Sequence, residues 1–305
     1  MCKESTEADP QVNHTYLDNN TPGTPYTVSS AVTDAAGAAA TDSTTIDVAN
    51  VTPEVTITGV MAGRPFAPVG IDVPLTATFT DPGTLDTHVG AVTWGDGSAT
   101  NLGAVQRSGL SATHAFASPG NYQVEAAVTD KDNGAGTATT SVTVLSPGAA
   151  ADAITGLLKG LLGRGDAQTD ALLRTAIDQL GSRNSGVATN GAAALLRGGD
   201  RVAALEKLGK AETALRAVTR LDVAAVRLLI AQTAQSVAQT AAGNARAAAG
   251  CTVLTATRCT ATERKAITAI DQLITSGQTA LGSGAYATAI AAFKDAIQRA
   301  VTLGG

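Results

Sequence analysis

Aromatic residues make up 3% of this 305-residue chain, with a single tryptophan, four phenylalanines and four tyrosines. Its cores must therefore be packed mainly from Val, Leu, Ile and Ala. Three histidines (His14, His88 and His114) and three cysteines leave little material for zinc or nucleophilic chemistry. There is no Gly-x-Ser-x-Gly elbow, no His-Glu-x-x-His helix and no phosphate-cradling glycine loop. Nothing supplies a nucleophile, a base and an orienting group together. No catalytic residue is assigned, and the expectation is a non-enzyme. No apolar run approaches the ~20 residues of a membrane span. Met1-Cys2-Lys3-Glu4-Ser5 is not followed by the apolar core of an export signal. A net charge of -5 argues against nucleic acid as a partner.

What is present divides in two. Residues 1–150 hold 4 basic and 15 acidic side chains, whereas residues 151–305 hold 17 and 11. An acidic part and a basic part imply two structural units, and the length allows both a core.

In the acidic part, apolar residues alternate with threonine. Val55 and Ile57 are followed by Leu75, Ala77 and Phe79, a period of two that describes strands with one buried face. Asp81-Pro82-Gly83, Asp96-Gly97, Ser118-Pro119-Gly120 and Asn133-Gly134 punctuate them as turns, leaving room for about seven strands before Pro147. In Val92-Thr93-Trp94-Gly95-Asp96-Gly97-Ser98, a strand ends in Trp94 and two glycines flank an aspartate in a turn that needs positive φ. Trp94, Phe79 and Tyr122 are expected to point into the core, and Gly95, Asp96 and Gly97 to make the turn. Phe66 is the one aromatic placed in a loop, where exposure is expected.

With His114-Ala115-Phe116, Ser118-Pro119-Gly120-Asn121-Tyr122 and Val128-Thr129-Asp130, this turn resembles the PKD domain over about residues 54–145. The resemblance implies an immunoglobulin-like β-sandwich of bacterial or archaeal surface and secreted proteins, and a packing or hydrogen-bonding role for His114. Residues 12–50 resemble the tail half of a second copy. His14-Thr15-Tyr16 parallels His114-Ala115-Phe116, Tyr26 parallels Tyr122, Val32-Thr33-Asp34 parallels Val128-Thr129-Asp130, and Ile46 and Val48 parallel Val142 and Val144. That copy has no front half, so its sheet edge and apolar face would be left uncovered.

From Pro147 the period changes to three or four, and alanine dominates. The pattern predicts helices over 151–162, 167–181, 187–197, 200–218, 222–249, 261–281 and 285–302, in an all-α bundle after a linker at 147–150. Thr260 and Glu263 have capping-box spacing. Glu206–Lys210 and Glu212–Arg216 are read as pairs on a solvated face. Ala176-Ile177-Asp178-Gln179-Leu180 recurs as Ala269-Ile270-Asp271-Gln272-Leu273. Gly199, Ala204, Leu205, Leu208 and Ala211 match Gly284, Ala289, Ile290, Phe293 and Ala296. Two similar helical hairpins are expected, with a loose resemblance to helical modules that end some bacterial surface proteins. The domain reading is therefore a half-module over 1–50, a complete sandwich over 51–146 and a bundle over 151–305.

Two chemical sites are candidates. Turn carboxylates Asp81, Asp130 and Asp132 are candidate calcium ligands, an idea admitted because some PKD-like modules bind calcium this way; the alternative is that they bond their own turn backbones. Otherwise no cofactor is expected. Cys251 and Cys259 bracket a short interhelical loop, and pair as a disulfide in an oxidising compartment or remain free thiols in the cytosol. The resulting expectation is a non-enzymatic extracellular interaction or spacer region of a bacterial surface or secreted protein, its export signal outside this chain. Its partner would be a protein or polysaccharide at the cell surface. The alternative is the accessory targeting tail of a secreted protease or glycoside hydrolase.

Overall fold

The structure is a computed structural model that describes residues 13–20, 24–181, 190–251 and 258–304. It opens with an exposed antiparallel hairpin, β1 (Tyr26–Thr33) and β2 (Ala39–Ile46). Eight strands follow: β3 (Glu54–Val60), β4 (Ala67–Pro68), β5 (Asp72–Thr80), β6 (His88–Thr93), β7 (Ala99–Val105), β8 (Leu110–Ala115), β9 (Gly120–Asp130) and β10 (Ala135–Leu145). They form a sandwich of two sheets, ordered β4-β10-β9-β6-β7 and β3-β5-β8. Alternation along β5 and β9 sends Val73, Leu75, Ala77, Phe79, Val124, Ala126 and Val128 inward, around Trp94 and Phe116.

Seven helices follow among the described residues: α1 (Pro147–Lys159), α2 (Ala167–Leu180), α3 (Ala192–Gly198), α4 (Arg201–Arg216), α5 (Ala224–Ala248), α6 (Ala261–Gly282) and α7 (Tyr286–Thr302). The reading of 147–150 as a linker is corrected, because these residues are the first turn of α1. Ser146 caps that helix by accepting from Ala149 N, and Pro147 occupies the first position, where its missing N–H costs nothing. The same Ser-Pro-Gly letters that read as a break start a helix. The predicted start of α3 at 187–189 lies outside the described residues; the helix itself runs Ala192–Gly198. At α6, Thr260 and Glu263 form both halves of a capping box.

The two similar hairpins, α2–α4 and α6–α7, bury equivalent side chains. Ala204, Leu205, Leu208 and Ala211 match Ala289, Ile290, Phe293 and Ala296; all are buried, and all but Ala204 belong to one core built around α5. Glu212 corrects the solvated-face reading. It is fully buried, and it pairs with Arg227 of α5 at 2.7 Å rather than facing water beside Arg216. Helix α4 is covered by α2, α5 and α7, so it has less open surface than its own i, i+4 spacing implies.

Phe66 is the third correction. It is 4% exposed, and it belongs to the helical core rather than to solvent. The loop that carries it, Met61-Ala62-Gly63, runs through three consecutive left-handed residues (φ 53°, 50° and 76°). Such backbone persists only when its surroundings hold it. Beside Phe66, Arg64 is buried and donates to Met61 O, to Asp72 O and across to Gln232 of α5. Ser236 of α5 donates to Val69 O at 2.5 Å. Burial lowers the Arg64 pKa.

The hairpin β1–β2 repeats β9–β10 in detail. Adding 96 to both numbers of every pair, from Tyr26↔Ile46 to Thr33↔Ala39, gives the β9–β10 register, Tyr122↔Val142 to Thr129↔Ala135. Their turns repeat too. Asp34 Oδ1 accepts from Ala36 N and Ala38 N, as Asp130 Oδ1 accepts from Asp132 N and Gly134 N. The left-handed residue is Gly37 in one (φ 88°) and Asn133 in the other (φ 70°).

Candidate functional site

Two constellations on the sandwich carry its polar chemistry. The first surrounds Trp94. Its fully buried indole donates to Thr100 Oγ1 at 2.9 Å and stacks on His114, whose ring meets Phe116 edge-on. Phe116 then stacks on Tyr122, whose hydroxyl donates to Ser118 O. Gly95 and Gly97 have φ of 77° and 92°, and a side chain at Gly95 would strike the Gln123 carbonyl. Asp96 closes the turn by accepting from Ser98 N at 3.0 Å and from Ser98 Oγ at 2.5 Å, and its other oxygen meets His114 Nε2 at 2.7 Å. Burial opposes ionisation of Asp96, but the bonds from Ser98 and His114 outweigh it and bring its pKa down to about 2.

Ser98, His114 and Asp96 superficially suggest a hydrolytic relay. The geometry is different, because Ser98 Oγ and Asp96 Oδ2 both address His114 Nε2. A relay places hydroxyl and carboxylate on opposite ring nitrogens. The trio clamps a turn under a tryptophan.

The second constellation is acidic and lies where the 81–88, 130–134 and 13–20 segments meet. Two sets of three carboxylates have oxygens within 4.8 Å of one another: Asp18, Asp86 and Asp132, and Asp81, Asp86 and Asp130. Of the sequence-derived candidates, Asp81 and Asp130 share one set, while Asp132 belongs to the other. Asp86 links the two sets. Asp18 arrives from the N-terminal segment, and nothing in its local sequence signals that approach.

Most of these oxygens already have partners. Asp81 binds Gly83 N and His88 Nε2, and Asp130 binds its own turn and the Asn50 amide. The Lys131 ammonium lies among Asp18, Asp86 and Asp132 at 2.8, 2.7 and 2.5 Å. Burial disfavours that ammonium, but its bonds to Asp132, Asp18 and Asp86 more than reverse this and raise its pKa. The same pairing with Lys131 lowers the Asp132 pKa. Asp18 Oδ1 and Asp86 Oδ2 remain buried with no hydrogen-bond partner. An all-oxygen set with unpartnered carboxylate atoms suits a hard cation such as calcium. Lys131 supplies the competing charge, so the lysine and a cation are alternatives for the Asp18–Asp86–Asp132 set.

In the bundle, Cys251 at the end of α5 and Cys259 before α6 are joined by a disulfide. No described helix is long and apolar enough to cross a membrane.

The family model of the PKD domain matches residues 50–144. No curated protein matches the chain. Similar solved structures include the PKD domain of an M14-like peptidase from a Thermoplasmatales archaeon, at 26% identity, over 32% of this chain and 98% of that one (TM-score 0.26). The PKD1 domain of Vibrio anguillarum Epp is similar at 19% identity, over 32% and 100% (TM-score 0.25). The PKD domain of the human VPS10 domain-containing receptor SorCS2 is similar at 17% identity, over 47% and 97% (TM-score 0.27). PKD domains occur in extracellular and surface proteins, generally as interaction or spacer modules. With its tryptophan-topped turn and two-sheet sandwich, the segment 50–144 is a PKD domain, followed in the same chain by a helical bundle.

Proposed function

We propose that this chain is a non-enzymatic extracellular spacer and presentation region, in which sandwich and bundle act as one stiff piece. The observation that carries this reading is Phe66, a side chain of the sandwich that is buried in the core of the bundle. A flexible tether would leave two units free to reorient, which is the default for adjoining domains. Here β10 runs through Ser146 directly into α1, and a second attachment is made by Arg64 and Val69 on α5 and by Phe66 in the bundle core. Two attachments fix an orientation that one cannot. The Cys251–Cys259 disulfide supports an oxidising, extracellular setting. Such a piece holds whatever is joined to it at a set distance and angle from a surface protein or polysaccharide.

The test places spin labels at Thr56→Cys and Lys265→Cys, both exposed positions, in a Cys2→Ser background. The expected distance distribution is single and narrow, and Phe66→Ala broadens it. A broad distribution without the Phe66 change would overturn the stiff-spacer reading.

A further inference from the structure

The N-terminal hairpin has the register and turn of β9–β10 but not its surroundings. In the complete module Val124, Val128 and Val142 are fully buried beneath β3, β5 and β8. Their counterparts Val28, Val32 and Ile46 are 40, 71 and 40% exposed. The aromatic stack is also repeated. His14 meets Tyr16 edge-on at 4.7 Å, as His114 meets Phe116 at 4.7 Å. Tyr16 packs on Tyr26 at 4.6 Å, as Phe116 packs on Tyr122 at 4.3 Å. In the complete module Trp94 adds to this stack by lying on His114.

The same chain therefore displays what covers such a surface. Strand β6 pairs with residues 125–130 of β9 and leads into Trp94. Shifted by 96, that partner would lie along residues 29–34, the outer edge of β1 and the residue that follows it, and β1 pairs with no described strand other than β2. The strands able to fill these places, β3, β5, β6 and β7, are all engaged in their own module. A second copy of the chain offers the same occupied strands.

We infer that residues 13–20 and 24–46 form a docking surface for the front half of a PKD-type module supplied from outside these 305 residues. One strand of that partner adds to the β1 edge along residues 29–34 and ends in an aromatic on His14. Its sheet covers Val28, Val32 and Ile46. Backbone hydrogen bonds supply affinity in such strand addition, and alternate side chains set its specificity.

The experiment adds a carrier-fused copy of residues 50–98 to the full chain and follows hydrogen exchange. The expected result is protection of amides 29–34 by about tenfold or more, with 120–130 unchanged. Val32→Asp, on an already exposed face, abolishes that protection while β1–β2 pairing persists. A probe carrying Trp94→Ser and Val92→Asp gives none. Unchanged exchange at 29–34 with an intact hairpin would overturn the inference. So would protection confined to 120–130, which reports invasion of the complete module. Self-association of the chain that Val32→Asp removes would assign the face to a second copy instead.

Discussion

Arg64 donates through Nη1 to Gln232 Oε1, two side chains 168 residues apart that join the sandwich to the bundle. The other bonds of Arg64, to Met61 O and Asp72 O, stay within the sandwich, so among the described residues Gln232 is its one side-chain partner across the boundary. Gln232→Ala leaves a buried cationic donor without that acceptor, a loss of about 1.5–3 kcal/mol for a bond to a charged group. Urea denaturation followed by hydrogen exchange in both units checks this, and the destabilisation should reach both. A variant as stable as the parent would mean that the guanidinium finds another acceptor.

The turn under Trp94 gives a pH dependence with a definite sign. The Asp96 pKa is about 2 in the fold against an ordinary 3.8. A depressed carboxyl stabilises the fold above its unfolded pKa, and that contribution fades as pH falls from 3.8 towards 2. Asp96→Asn removes the titration. Melting temperature plotted from pH 5 to pH 2 should fall less steeply for the variant, which starts below the parent at pH 5. Parallel curves would contradict the assignment.

Two helical glycines should respond in opposite directions. At Gly277 in α6 a Cβ would collide with the Phe293 ring, which is fully buried in α7. Gly277→Ala should destabilise by about 1–3 kcal/mol, as overpacking does. Gly243 in α5 has nothing within 4 Å of its would-be Cβ. Gly243→Ala should stabilise by up to about 1 kcal/mol through helix propensity. Chemical denaturation of both variants checks the pair, and equal signs would contradict the packing of α6 on α7.

Lys131 sits where a cation would sit among Asp18, Asp86 and Asp132. Lys131→Ala should loosen the N-terminal segment and make the protein calcium-responsive. For a folded-state site the gain is about 2.7 kcal/mol at a calcium concentration one hundred times Kd. Thermal melts with and without calcium should separate for the variant more than for the parent. If calcium leaves both unchanged, the carboxylates act as turn and ion-pair groups alone.

How much of this was legible in the letters depended on the range of the interaction. Leu75, Ala77 and Phe79 alternate because one sheet face is buried, and period-two patterns are local. The Trp94 turn was legible for the same reason, since Gly95 and Gly97 are needed by their own backbone. Phe66 was misread because what buries it is a bundle that begins only at Pro147, and no local rule reports a cover that comes from another domain. Glu212 was misread likewise, its partner Arg227 lying on the next helix. In the acidic cluster Asp81 and Asp130 stood out as turn residues, whereas Asp18 and Lys131 meet only once the N-terminal segment lies across the sandwich. The pairing of β1 with β2, in contrast, was legible in the letters, since Tyr26 and Val32-Thr33-Asp34 repeat Tyr122 and Val128-Thr129-Asp130.

The parallel bridge between β4 and the end of β10 bears on how the molecule carries load. Ala67 pairs with Val144 and Pro68 with Leu145, with Ser146 alone between Leu145 and α1. Tension arriving from the bundle is delivered at that point, and Phe66, next to β4, is anchored in the bundle itself. Peeling β10 away from the sandwich would require shearing this bridge and extracting Phe66 together. The junction between the two units is thereby a clamp, in which the strand that receives the pull is held by the same segment that grips its source.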